Sequence, residues 1–343
     1  MRKALFCLVL MVVATATAAI ALEIEDRKLF SGAKATATLR VISTGDVDLF
    51  SPIIEAFISD NPGIAVEYTV VGSADLMQAI LKVEDRFDVA LSSAMDLQTK
   101  LVNDGYAQSH LSPQTQILPS WARWRDQLFA FTQEPAAIIL SNDSFEGLTR
   151  PRTRRQLIEI MREHPQRFDG KIGTYDIRRS GLGYLFATQD SRTADISWRL
   201  NAVMGNRDVQ LYCCSGQMIT DVAEGRLAIA YNVLGSYAAG REEASAYTIL
   251  YPEDFTLVMQ RTALIPKNAF QPALAGRFID ALVARRGSGE LGEETGADRW
   301  FSDIRPGYRR IAIGPGLLVF LDKLKRQNFL EEWTSAIGTS QSR

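Results

Sequence analysis

Ser43-Thr44-Gly45-Asp46, Gly72-Ser73 and Ser92-Ser93 are clusters of small polar residues, each followed by apolar residues at helical spacing. A helix start leaves backbone N–H groups free, and these favour a carboxylate or phosphate by about 0.3–1 kcal/mol per exposed helix end. Arg178-Arg179-Ser180-Gly181 repeats the design with two guanidinium groups in front of it. An arginine can fork onto two oxygens of one oxyanion, and glycine lets the backbone come close. Helix capping accounts for any one cluster alone, and both arginines read equally well as surface charges. Recurrence is what points to a ligand. The candidate ligand-binding residues are thus Thr44, Gly45, Asp46, Ser73, Ser92, Ser93, Arg178, Arg179, Ser180 and Gly181. Asp46, Glu134 and Asp176 add carboxylates suited to a polyol or amine on the same solute, and Tyr231 and Asn232 end a further predicted strand.

The elements that must position these residues alternate. The spacing predicts strands over 39–43, 64–71 and 87–93, with helices over Leu49, Phe50, Ile53, Ile54 and Phe57, over 73–85 with Ser73 as N-cap, and from 95 to about 103. This β-α-β-α-β order predicts a parallel sheet covered by helices, an α/β fold. In such sheets ligands sit at the carboxyl edge of the strands, where the hydroxyl clusters fall. Residues 128–143, extended and apolar on both sides of Gln133-Glu134-Pro135, read as a crossover to a second lobe. There the order begins again. A basic helix within 150–171 reads as a solvated face; 171–189 is strand, polar turn and helix; 208–237 is strand, helix and strand, the last ending at Tyr231-Asn232. Residues 285–296 read as a surface loop.

At 343 residues the chain exceeds one comfortable core, which also predicts two lobes. Residues 1–21 read as a signal peptide: Arg2 and Lys3, an apolar run from Ala4 to Val13, then Ala16-Thr17-Ala18 or Ala19-Ile20-Ala21 for cleavage. The expected compartment is the periplasm. Of 38 Lys and Arg residues, cleavage takes Arg2 and Lys3 and leaves 36 against 40 Asp and Glu, a net charge of −4. That is no footprint for nucleic acid. The mature chain keeps Cys213 and Cys214 alone, which read first as two thiols at a strand end, with a vicinal disulfide as the alternative. His110 and His164 are isolated, and no G-x-S-x-G, H-E-x-x-H or Walker motif occurs. The expected protein is no enzyme and needs no cofactor or metal. "SGLG" (180–183) lacks the third glycine of a dinucleotide fingerprint.

Residues 56–68, 88–106, 131–143, 224–237 and 261–284 together resemble the periplasmic solute-binding proteins of ABC importers, of the two-crossover class that includes ferric-ion and phosphorylated-solute binders. The resemblance implies two α/β lobes joined by extended hinge crossovers, with the ligand between them. Lobe I would hold 38–134 and 248–300, and lobe II 135–247 and 301–343 with the C-terminal helices. It also places Arg261 at the start of the return strand, facing the cleft. A monomer would capture a small polar, anionic solute, a phosphorylated sugar or an organic acid, and hand it to a permease in the inner membrane. Two alternatives stay open: a ferric-ion binder, and a sensory accessory docking on a membrane histidine kinase. Ferric binders carry an adjacent tyrosine pair where this chain has "YNVLGSY" (231–237), and Val233-Leu234 offer no oxygen to Fe(III).

Overall fold

The strand–helix alternation builds two separate sheets. The structure is a computed structural model and describes residues 22–82, 86–239, 241–285 and 306–338. The expected signal peptide and most of 285–296 lie outside these residues. The chain opens with β1 (Ile24–Ser31), β2 (Ala37–Ser43), α1 (Val47–Asp60), β3 (Ile64–Val71), α2 (Ser73–Leu81), β4 (Val89–Ser92) and α3 (Met95–Asn103). Then come β5 (Ala107–Gln108), α4 (Pro113–Gln116), β6 (Arg123–Trp124), β7 (Leu128–Ala130), β8 (Glu134–Ser141), α5 (Arg154–Glu163) and α6 (Pro165–Phe168). The third stretch is β9 (Ile172–Tyr175), α7 (Gly181–Thr193), α8 (Ile196–Gly205), β10 (Gln210–Tyr212), α9 (Ser215–Ala223), β11 (Ile229–Leu234) and α10 (Gly235–Ala239). It closes with β12 (Tyr247–Leu250), β13 (Thr256–Met259), β14 (Thr262–Pro266), α11 (Pro272–Ala284), β15 (Tyr308–Arg310), a 3-10 helix Pro315–Leu321 and α12 (Lys323–Ile337).

The first sheet is ordered β1-β3-β2-β4-β14-β7-β6, and the second β10-β9-β11-β8-β13-β15. Strands β2, β3 and β4 pair in parallel as the periodicity predicts, and so do β9, β10 and β11. Both sheets are nevertheless mixed, because β1 and β14 pair antiparallel in the first and β8 in the second. Strand β4 is buried at every residue and β3 at every residue but Glu67, as strands covered on both faces are, whereas β10 at the edge is not. Leu39, Val41, Ile42, Val66 and Val89 are fully buried. Helix α1 adds Phe50, Ile54 and Phe57 at helical spacing, with Phe50 against Tyr68 and Phe131. Each such side chain contributes about 1.5–3 kcal/mol by leaving water.

Two extended crossings join the sheets, Phe131–Gln133 between β7 and β8 and Gln260–Arg261 between β13 and β14. The Arg261 N–H donates to Thr132 Oγ1, and the Phe131 N–H to the Arg261 carbonyl, so the crossings run side by side. The return crossing thus lies at 260–261 and not near 248, since β12 and β13 both pair with β8. Strand β1, before the expected start of lobe I, belongs to the first sheet. Helix α12 packs on α8 of the second lobe, while the 3-10 helix before it packs on α3 of the first.

The basic helix is not wholly a solvated face. Arg154 is 1% exposed, donates to Tyr231 Oη and the Phe255 carbonyl, and lies beside Asp190 and Asp254. A desolvated guanidinium needs such partners, and a pattern read along one helix cannot supply them.

Candidate ligand-binding site

The carboxyl edges of the two parallel strand sets face each other across a cavity of about 200 Å³. Thr44, Asp46, Gly72, Ser73 and Ser93 line it from the first lobe. Arg179, Ser180, Cys213, Cys214, Ser215 and Tyr237 line it from the second, and Arg261 from the crossing. Helices α1, α2, α3, α7 and α9 begin at this edge. Neither Gly72, the N-cap of α2, nor Cys214, the N-cap of α9, supplies a side-chain cap, so those backbone donors are open to a ligand.

Hydrogen bonds fix the first-lobe wall. The Ser93 N–H donates to Thr44 Oγ1 at 3.1 Å, and the Ala94 N–H to Ser92 Oγ at 3.1 Å. Ser92 is buried and positions its neighbours without lining the cavity. Gly45 also lies beneath the wall, its carbonyl accepting from Tyr68 Oη at 2.8 Å. A Cβ there would stand 2.4 Å from the Phe50 ring and 2.7 Å from Arg261 Nη1, so only glycine fits.

The lobes meet where α2 and α7 begin. The Gly181 N–H donates to Ser73 Oγ at 2.9 Å, and a Cβ on Gly181 would stand 2.4 Å from that oxygen. Ser180 caps α7 by accepting from the Gly183 N–H at 3.1 Å. Two helix N-termini of like partial charge are thus brought together. The Gly181→Ala variant is expected to hold the lobes apart: small-angle scattering in saturating solute should give a larger radius of gyration than for the parent. Equal radii would show that Ser73 yields to the added methyl.

Arg178 and Arg179 separate. Arg178 forks onto Asp176, with Nε and Nη2 each 2.8 Å from a carboxylate oxygen, and faces a neighbouring interlobe cavity with Asp96 and Arg326. Burial pulls Asp176 upward, but the Arg178 hydrogen bonds hold it below the ordinary carboxylate range. Arg179 is exposed, lines the ligand cavity and makes no salt bridge among the described residues. Arg261 is 2% exposed, and Glu134 takes its charge, Nε to Oε1 at 2.7 Å and Nη2 to Oε2 at 3.3 Å. Burial disfavours that charge, but Glu134 and Tyr237 outweigh it and push the Arg261 pKa above its ordinary value. Glu134 in turn accepts from Thr132 and Ser236, at 2.9 and 2.7 Å, and does not line the cavity.

Tyr231 and Asn232 are not at the site. Strand β11 runs on to Leu234, so its carboxyl edge is two residues later than the sequence suggests. The ladder slips between Ala230 and Val233, where Asn232 takes a φ of 60°. Both side chains donate into the lobe II core, to Asp190 Oδ2 at 2.9 and 2.6 Å. Tyr237 reaches the cavity instead, with Tyr175 beneath it. Glu25, on the unforeseen β1, lines the cavity beside Gly72 and near Asp46. Desolvation raises both carboxyls; Asp46 raises Glu25 further, while Arg261 and Arg241 pull Asp46 down. Cys213 and Cys214 are joined by a disulfide, the alternative and not the first reading. Among the described residues no group of three or more His, Cys, Asp or Glu could hold a metal ion.

The profile of bacterial extracellular solute-binding proteins matches residues 39–293. The chain belongs to that family, and it is a solute-binding protein, not an enzyme. No curated protein matches it. Among solved structures, the substrate-binding protein of an ABC transporter from Agrobacterium tumefaciens is 35% identical, with a TM-score of 0.83 over 91% of this chain and 98% of that one. AfuA from Actinobacillus pleuropneumoniae, with exogenous fructose-6-phosphate bound, is 14% identical, with a TM-score of 0.69 over 89% of this chain and 100% of that one. Iron-bound HitA from Pseudomonas aeruginosa is also 14% identical, with a TM-score of 0.66 over 88% and 99%. At such identity these two share the fold alone. In the described residues no helix is long and apolar enough to cross a membrane.

Proposed function

We propose that this solute-binding protein works in the periplasm, captures a small anionic solute between its lobes and delivers it to an ABC permease. The observation that carries the anion reading is the meeting of the α2 and α7 N-termini beside Arg179, which is exposed and makes no salt bridge among the described residues. Two positive helix ends brought together repel, and an anion held alongside them in the cavity offsets that repulsion. The reading takes further support from the relative in Agrobacterium tumefaciens, an ABC transporter's substrate-binding protein, and from the sugar phosphate held by AfuA on the same fold. Asp46 and Glu25, which line the same cavity, suit hydroxyl or amine groups of the solute. A phosphorylated polyol or amine fits such a mixed lining better than a bare inorganic anion.

Iron fits the site less well. The Tyr231 hydroxyl is committed to Arg154 and Asp190, in a core that burial and Asp190 keep from ionising. Tyr237 is the one phenol of the "YNVLGSY" stretch that reaches the cavity.

The test is calorimetry with glycerol 3-phosphate, fructose 6-phosphate and citrate. At least one is expected to bind and raise the melting temperature, and a flat response to all three would sink the anion reading. With the best binder, Arg179→Ala should lose roughly ten- to hundred-fold in affinity, since a charged hydrogen bond contributes about 1.5–3 kcal/mol. Arg178→Ala should stay near the parent, because that charge is spent on Asp176. The reverse ranking would move the anion to the neighbouring cavity.

A further inference from the structure

The Cys213–Cys214 disulfide stands between β10 and α9, at the carboxyl edge of an edge strand of the second sheet. Both residues are exposed, and both line the ligand cavity opposite Thr44, Asp46 and Ser73. Two adjacent half-cystines close a small ring that presents sulfur, a polarisable and nearly apolar surface, in a wall otherwise made of hydroxyls and charges. The ring also sits on the first turn of α9. Ser215, the next residue, holds Tyr175 Oη at 2.5 Å and accepts from the Leu234 N–H at 3.2 Å, so the turn is tied to two neighbouring strands of the cavity wall.

We propose that Cys213–Cys214 is a redox-active modification site within the solute cleft, and that solute capture depends on its oxidation state. The co-reactant is a dithiol. One thiolate of that dithiol attacks a cysteine sulfur, the S–S bond breaks, and a mixed disulfide forms while the leaving cysteine thiolate takes up a proton. The second thiolate attacks the reductant's own sulfur in the mixed disulfide and releases the other cysteine, which is protonated in turn. The dithiol thereby loses two electrons and two protons, and the cysteine pair gains both. Exposure leaves the bond open to this exchange. The opened pair no longer holds its two side chains together, so the sulfur face of the cavity is lost and two S–H donors replace it.

The experiment uses the mature protein under native conditions. Iodoacetamide should add nothing before reduction and two groups after treatment with dithiothreitol, read by intact mass, while circular dichroism stays unchanged. Labelling before reduction, or none after it, overturns the proposal. The second arm takes glycerol 3-phosphate and fructose 6-phosphate as probes and so rests on the anion reading above. Reduced protein should bind the better probe at least five-fold more weakly than oxidised protein. The Cys213→Ser/Cys214→Ser double variant should match the reduced affinity and ignore dithiothreitol. Equal affinities in the two redox states overturn the coupling. Failure of every probe to bind oxidised protein counts against the anion reading, while the labelling arm decides the redox site independently.

Discussion

Replacing Arg261 with methionine is expected to lower the unfolding free energy by about 3–5 kcal/mol, the usual loss when one partner of a buried ion pair is removed. The Arg261 and Glu134 side chains are 3% and 5% exposed, so a lone Glu134 would be left desolvated with only the Thr132 and Ser236 hydroxyls as partners. Methionine keeps most of the packing against Phe50 and Tyr237, whose rings lie 5.8 and 5.5 Å from the guanidinium, so the loss reports charge more than volume. Adding Glu134→Gln to Arg261→Met should recover much of the deficit, because the orphaned charge is then gone. Urea melts of the two single variants and the double variant give the coupling directly. A loss below about 1 kcal/mol for Arg261→Met would mean that water reaches Glu134 and that the pair does not hold the crossings together.

The same residue shows where sequence reasoning stops. The strand–helix order was legible because its signals are local: Ile64–Val71 and Met95–Asn103 fall where periodicity places them. So was the placement of Thr44, Asp46, Ser73, Ser93, Arg179 and Ser180 around one cavity, since a strand's carboxyl end and a helix start are neighbours along the chain. What a side chain does across the fold was not. Arg178 and Arg179 are adjacent and alike in sequence, but Asp176 lies two residues before Arg178 and claims it. Glu134 and Arg261 both read as solute ligands, and their pairing appears only when the two crossings lie side by side. Tyr231 was displaced by a strand that continues through a left-handed Asn232, a conformation that alternation cannot signal. Glu25 was missed because its strand precedes the first β-α-β unit and joins the sheet from outside.

Asp96 gives a pH dependence with a definite sign. Asp96 is 3% exposed in the first turn of α3, where Lys100, Arg178, Tyr184 and Arg326 line the same interlobe cavity. Burial pushes its pKa up to about 7, against the Leu97 N–H and the Arg326 charge, from an ordinary 3.8. A raised folded pKa means that the native state holds this proton more tightly than the unfolded chain does. The stability it contributes is therefore fully present below pH ~4 and is lost as pH rises to about 7, flat thereafter. The full shift corresponds to a loss on the order of 4 kcal/mol. Asp96→Asn keeps the shape and an acceptor for the Leu97 N–H, which Asp96 Oδ1 takes at 2.9 Å, and has no charge to desolvate. The variant should match the parent near pH 4 and exceed it increasingly up to pH 7, then hold a constant advantage at pH 8. The difference between the two proteins is the quantity to follow, because Asp104, Asp176 and Asp221, all held low, give the whole protein an opposite trend at acid pH. Urea denaturation of both proteins from pH 4 to 8 measures it. A difference that does not change with pH would show that Asp96 is ionised in the folded protein, its charge carried by Arg326 and the α3 N-terminus.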